Sequence, residues 1–267
     1  MIYNNRIKHA IENDQVVLGG VAYTSSPMVI ELCGDIGLDF VWVDLEHRGC
    51  SPFDSESLAN LSRAAEVADT SLLVRLPGSD PDMIRKVLDS GIRNVLLPRV
   101  ETPEEVRRAV KATKFTYEGE PGKRGGSHAR TTIYGKDIEN LRDVEDDSVC
   151  LGVMIETIQA IENLEEILSI PELGFVRTGP GDLSISLGID DSSDPRIWEH
   201  REYLEETALE YDVPLSSGTV YYDGIEETVD AGYQIVTIGR DLPILRQRMQ
   251  ERYDAAVDGL EGLEYPF

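Results

Sequence analysis

Short apolar runs rich in β-branched residues alternate along the chain with longer stretches whose apolar residues recur every three or four positions. A continuous apolar run reads as a strand buried on both faces, and the longer period reads as an amphipathic helix. Strands are predicted over residues 16–22, 40–44, 72–75, 95–98, 151–155, 175–178, 214–217 and 235–238. Helices are predicted between them, over 27–33, 55–68, 82–88, 103–113, 158–168, 196–211 and 225–230, with a last one over 242–257. Another helix, over 3–13, precedes the first strand.

Punctuation agrees with this reading. Ser79-Asp80-Pro81 and Thr102-Pro103 each supply a cap and a first-turn proline, and Glu104 and Glu105 sit at the positive end of their helix. Gly37, Gly91 and Gly232 stand where helices stop before strands.

Parallel strands joined by helices build either a closed (β/α)8 barrel or an open doubly wound sheet. Eight near-regular units in 267 residues, with no glycine-rich dinucleotide turn, favour an α/β TIM barrel as one domain over 1–267. The helix at 3–13 would plug its bottom. One connection breaks the rhythm: between Thr113 and Cys150 lies a long segment containing GEPGKRGGSHARTTIYG. Long structureless segments usually serve function or mobility.

Charge narrows the class of protein. Fifty acids against 25 bases, mostly Arg, give a formal net charge of −25. Such an excess disfavours nucleic acid and anionic membrane surfaces. The acids are spread along the chain, as at Glu101, Asp143, Glu145 and Glu205, rather than gathered in a tail. A solvated acidic shell of this kind suits a halophile's molar-salt cytoplasm, where salt screens its self-repulsion. Cys33, Cys50 and Cys150 are too far apart for a zinc or redox pair and read as structural thiols. The N-terminal residues lack an apolar signal core, and no apolar run reaches membrane-spanning length, so the expected location is cytoplasmic.

In such barrels the chemistry stands where strands end at the C-terminal face. The second predicted strand ends in Asp44-Leu45-Glu46-His47, the third in Arg75, the fifth runs into Glu156, and the sixth into Thr178-Gly179-Pro180-Gly181-Asp182. Glu156 and Asp182 follow adjacent strands. Two carboxylates there suit a hard divalent cation completed by water and substrate oxygens; either alone could instead cap the next helix. These strand ends carry no lysine, which argues against imine chemistry. Successive amides of residues 122–130 could form an anion nest or a lid, aided by Arg124 and His128.

Six motifs together resemble one family: WVDLEH (42–47), VRLPGSDP (74–81), KVLDSGIRNVLLPRVETPEE (86–105), GKRGGSHAR (122–130), VMIET (153–157) and GPGDLSISLG (179–188). The chain resembles the HpcH/HpaI aldolases, metal-dependent class II pyruvate aldolases that include 4-hydroxy-2-oxoheptanedioate and 2-keto-3-deoxy sugar acid aldolases. The resemblance implies Glu156 and Asp182 as ligands of Mg²⁺ or Mn²⁺, with Co²⁺ also usable. It implies Arg75 at the pyruvate keto oxygen, His47 with Asp89 as a catalytic dyad, and Asp44 as an acid near the metal's water. The backbone of Gly179, Pro180, Gly181 and Asp182 would hold the pyruvate carboxylate. The implied reaction cleaves a 4-hydroxy-2-oxo acid to pyruvate and an aldehyde through a metal-bound enolate. Alternatives are a CoA-thioester lyase of the citrate lyase β or malyl-CoA type, which needs a basic nucleotide groove not evident here, and a noncatalytic keto-acid-binding barrel. A homo-oligomer, a hexamer in this family, is implied, with the last helix (Leu242, Ile244, Leu245, Met249) as a docking element. Three departures stand out: Met154 where relatives commonly have Gln, Arg177 with Thr178 in place of apolar residues, and Arg240 just after the eighth strand.

Overall fold

The computed structural model describes residues 5–136, 139–191, 194–220 and 223–260. Eight parallel strands close into a barrel: β1 (Val17–Val21), β2 (Phe40–Asp44), β3 (Ser71–Arg75), β4 (Asn94–Leu97), β7 (Cys150–Ile155), β8 (Phe175–Thr178), β9 (Leu215–Ser217) and β10 (Tyr233–Arg240). The order around the barrel is β1-β10-β9-β8-β7-β4-β3-β2, and β2 pairs back onto β1. Every predicted strand is present. The largest change in bounds is at β10, which begins two residues earlier and runs on to Arg240.

The strands bury both faces, which is why they read as continuous apolar runs. Inward side chains Phe40, Trp42, Leu73, Leu96, Met154, Phe175 and Ile235 fill the barrel. Outward ones, such as Val41, Val43, Val74, Val95 and Val153, pack under the helices. Each such side chain contributes roughly 1.5–3 kcal/mol by leaving water.

The helices are α1 (Arg6–Glu12), α2 (Pro27–Ile36), α3 (Ser55–Val67), α4 (Pro81–Asp89), α5 (Pro103–Thr113), α6 (Leu141–Ser148), α7 (Ile158–Glu162), α8 (Leu164–Leu168), α9 (Pro180–Ser186), α10 (Pro195–Glu210), α11 (Ile225–Asp230) and α12 (Asp241–Asp258). Asp80 and Thr102 cap α4 and α5 as predicted, accepting from Asp82 N and Glu105 N at 2.8 and 3.2 Å. Gly37, Gly91 and Gly232 all adopt positive φ. The single helix predicted over 158–168 breaks at Asn163, whose side-chain amide donates to the Glu101 carbonyl at 2.8 Å.

α1 plugs the bottom. Asn5 caps it, donates to Asn94 Oδ1 at 2.7 Å and to the Ser148 carbonyl at 2.9 Å, and Ile7 enters the barrel interior. Tyr3 and Asn4 of the predicted span lie outside the described residues.

The long connection after α5 is not structureless. It holds a hairpin of β5 (Thr116–Tyr117) and β6 (Glu120–Pro121), a 3-10 turn (Arg130–Thr132) and α6. Buried charge pins it beneath the barrel: Glu145 of α6 pairs with Arg93 at 2.7 Å and with Arg124. Asp146 accepts from Phe115 N and Thr116 N at 2.7 and 2.9 Å.

The cysteines are free thiols; Cys150 alone is fully buried, which pushes its pKa up to about 12. No helix among the described residues is long and apolar enough to cross a membrane. Unlike the helices that sheathe the barrel, α12 buries none of its residues, and Leu242, Ile244, Leu245, Met249 and Tyr253 are exposed along it.

Candidate active site at the C-terminal mouth

β2 and β3 pair in register with Asp44 opposite Arg75, so both side chains leave their strands at the same level of the mouth. Their pairing is a fork: Arg75 Nε donates to Asp44 Oδ1 at 3.0 Å and Nη2 to Oδ2 at 2.8 Å. Nη1 lies 2.9 Å from Glu46 Oε2. A bidentate pair fixes the guanidinium plane as a single hydrogen bond cannot. Burial of Asp44 raises its pKa, but Arg75 and the backbone N–H groups of Glu46 and His47 outweigh it, leaving the carboxyl below its ordinary range. Burial likewise lowers the Arg75 pKa and Asp44 more than restores it. Asp44 is thus the anchor of Arg75 rather than a free acid. His47 is mostly exposed, with Nε2 3.5 Å from Glu46 Oε2.

Glu156 follows β7 and is 2% exposed. It does not cap α7; Thr157 does, accepting from Ala160 N at 3.1 Å. Glu156 Oε2 accepts from Arg99 N at 2.9 Å. Across the gap to β8, a β-carbon at residue 179 would collide with Glu156 Oε1, so glycine there makes the cradle for this carboxylate. Burial pushes the Glu156 pKa up to about 7; the Arg99 amide opposes this and neighbouring Asp182 adds to it. Asp182, in the first turn of α9, pairs with Arg99 Nη1 at 3.2 Å.

These observations fit a divalent cation. Glu156 and Asp182 are oxygen donors that raise each other's energy when both are charged, and a cation between them removes that cost. Among the described residues no third His, Cys, Asp or Glu completes a cluster, so water and substrate would supply the remaining positions. The Arg99–Asp182 pair is half-exposed and weak enough to yield to a metal.

Arg99 is the residue that sequence reading missed. It stands two residues after the end of β4, touches both carboxylates, and holds φ 50°, an uncommon conformation for a non-glycine residue. Its signal in the sequence is its place just after the fourth predicted strand, 95–98, the kind of position the other mouth residues occupy.

Three predicted site residues lie elsewhere. Asp89 is the last residue of α4, which runs from the mouth back to the bottom, so within one protomer it stands at the opposite end from His47. Its carboxylate accepts from Ser127 Oγ at 3.3 Å, and burial raises its pKa against the pull of Arg124. Arg124 is committed to Glu145 under the barrel. His128 lies over the outer faces of α3 and α4 in a groove of about 680 Å³ with Asp89, Ser127 and Tyr134. The 122–130 segment is therefore neither a nest nor a lid over its own protomer's mouth. Arg177 and Arg240, left open by the sequence, both turn toward the mouth, at the end of β9.

The HpcH/HpaI aldolase/citrate lyase family model matches residues 22–247. The 2-keto-3-deoxy-L-rhamnonate aldolase of Escherichia coli K12 is 34% identical over 193 residues, covering 72% of this chain and 70% of that one. The 5-keto-4-deoxy-D-glucarate aldolase of Klebsiella pneumoniae is 28% identical over 255 residues, covering 95% and 97%. An HpcH/HpaI family protein from Burkholderia cenocepacia superposes with a TM-score of 0.85 at 24% identity, over 95% of this chain and 99% of that one. The chain is therefore a carbon–carbon lyase belonging to the HpcH/HpaI aldolase/citrate lyase family.

Proposed function

We propose that the protein cleaves 4-hydroxy-2-oxo acids to pyruvate and an aldehyde, with Glu156 and Asp182 holding Mg²⁺ or Mn²⁺. The observation that carries this is the forked Arg75–Asp44 pair at one side of a mouth whose other acids, Glu156 and Asp182, stand side by side, with the pKa of buried Glu156 pushed up to about 7. Oxygen-only donors favour those two metals. When bound, the cation supplies Lewis-acid stabilisation of charge on the keto oxygen.

The chain's own groups do the rest. Asp44 locks the guanidinium of Arg75, so that its positive charge faces the oxygen on which negative charge builds as the C3–C4 bond breaks. His47, exposed at the rim, takes the proton of the 4-hydroxyl. The bond electrons pass into the pyruvate enolate, which is then protonated at its methylene carbon. Gly181 and Asp182 offer first-turn N–H groups to the substrate carboxylate, whereas Pro180 has none to give.

The dyad of His47 with Asp89 requires a second copy of the chain, since the two residues stand at opposite ends of one barrel. The exposed apolar stripe of α12 gives such copies a docking surface, and a hexamer is the state we assign, in the cytoplasm. Pyruvate release from 4-hydroxy-2-oxo acids should be stopped by EDTA and restored by Mn²⁺. Inactive His47→Ala and Asp89→Ala proteins, mixed and reassembled, should recover part of the activity. Pyruvate release that ignores EDTA argues against the metal, and mixtures that stay dead argue against the shared dyad.

A further inference from the structure

The chain leaves β4 through Pro98 and reaches Arg99, whose main chain and side chain serve different carboxylates. Its backbone N–H donates to Glu156 Oε2 at 2.9 Å, and its guanidinium donates Nη1 to Asp182 Oδ1 at 3.2 Å. The two contacts differ in kind. The first reaches a carboxylate that is 2% exposed and needs only a backbone amide. The second is open to solvent, its side chains 53% and 38% exposed. Arg99 also holds φ 50°, a conformation that glycine adopts more readily. A glycine could therefore make the Glu156 contact with less strain, so the amide alone gives no reason for arginine at this place. What arginine adds is a positive charge on Asp182.

A divalent cation held by Glu156 and Asp182 meets a guanidinium already placed on one of those carboxylates. The two positive charges draw on the same oxygen and repel each other at close range. Arg75, by contrast, makes its ion pairs with Asp44 and Glu46. We propose that the Arg99 side chain is a built-in competitor of the metal, which weakens divalent-cation binding at Glu156 and Asp182. This rests on the reading of those two acids as the residues that hold the metal. Because the competing pair is half-exposed, its strength depends on salt. The screening length falls from about 8 Å at physiological ionic strength to about 3 Å at 1 M. The competition is therefore strongest in dilute salt and fades in molar KCl.

The probe is Mn²⁺ alone, with free ion read from its EPR signal and no substrate present, at about 0.3 M and about 2 M KCl. Arg99→Gln keeps the backbone N–H to Glu156 and removes the charge, so it should bind Mn²⁺ about three- to tenfold tighter at the lower salt. That gap should close to within about twofold at the higher salt. Arg99→Gly removes the side chain and relieves the positive φ, so it should fold at least as well and show the same gain. Arg99→Lys keeps the charge and should stay within about twofold of the unaltered protein. Equal or weaker Mn²⁺ binding in folded Arg99→Gln and Arg99→Gly overturns the proposal. A gain that is just as large in Arg99→Lys, or that is the same at both salts, overturns it too, since charge would not then be its cause. Glu156→Gln, titrated alongside, reports on the site itself. Mn²⁺ affinity lost there without any gain at residue 99 removes the competitor alone, and affinity unchanged there removes the metal reading with it.

Discussion

The two ends of the barrel use the same residue types to opposite ends. At the bottom, Glu145 sits between Arg93 and Arg124, all three buried, and Asn5 ties α1 to β4 and α6. Glu145 there has two cations at hand. At the mouth, Arg75 is matched by Asp44 and Glu46, while Glu156 is buried beside a second acid and its pKa is pushed up to about 7. Closed charge clusters hold a fold in place. An acid kept at an energetic disadvantage is a candidate for holding a cation, which is the role proposed for Glu156.

The comparison can be broken from either end. Glu145→Ala leaves two buried arginines without their carboxylate and should cost about 3–5 kcal/mol. The thermal midpoint should then fall by on the order of 10 °C, with pyruvate binding retained in the folded fraction. A midpoint unchanged by this substitution would mean that the lower cluster carries no load. At the mouth, Arg75→Lys keeps the charge and loses the fork on Asp44, so kcat should fall by about a hundredfold with little change in the midpoint. Steady-state kinetics beside a melting curve separates the two effects.

The raised Glu156 pKa sets a pH dependence. Its folded value lies above its unfolded one, so the cost of burying the charge is absent below about pH 4.5 and grows as pH rises through 7. The metal-free protein should lose roughly 1–3 kcal/mol across that window relative to Glu156→Gln. Added Mn²⁺ should cancel the difference, and denaturant melts at several pH values check both. The smallest effect concerns the surface. With a net charge of −25, the thermal midpoint should rise between dilute and molar KCl. Buried pairs are screened least, so Glu145→Ala should lower the midpoint in both media.

The apolar rhythm of the chain reveals the eight strands because each is buried on two faces and is punctuated by caps that act locally, such as Asp80 and Thr102. The acids and bases of the mouth are legible for a related reason: strand ends in a parallel barrel all point to one rim. Asp89 and Arg124 were not legible as lower-face residues, nor His128 as part of a groove on the outer faces of α3 and α4, from their motifs alone. A motif conveys that residues matter without saying at which end of a helix, or in which copy, they act. The direction of α4 puts Asp89 at the bottom, and a buried ion pair draws Arg124 there. The inward aim of Arg177 was likewise invisible, because it depends on Trp42 and on the space left at Gly218, which come from other strands.

The most direct measurement follows deuterium into the methyl group of pyruvate by NMR, in molar KCl, for the unaltered protein, Glu156→Ala and Glu145→Ala. Expected is exchange that needs Mn²⁺, stops with EDTA, disappears in Glu156→Ala and persists in folded Glu145→Ala. Metal-independent exchange, or exchange that survives in Glu156→Ala, would contradict the assignment of the mouth as the site where the pyruvate enolate is made.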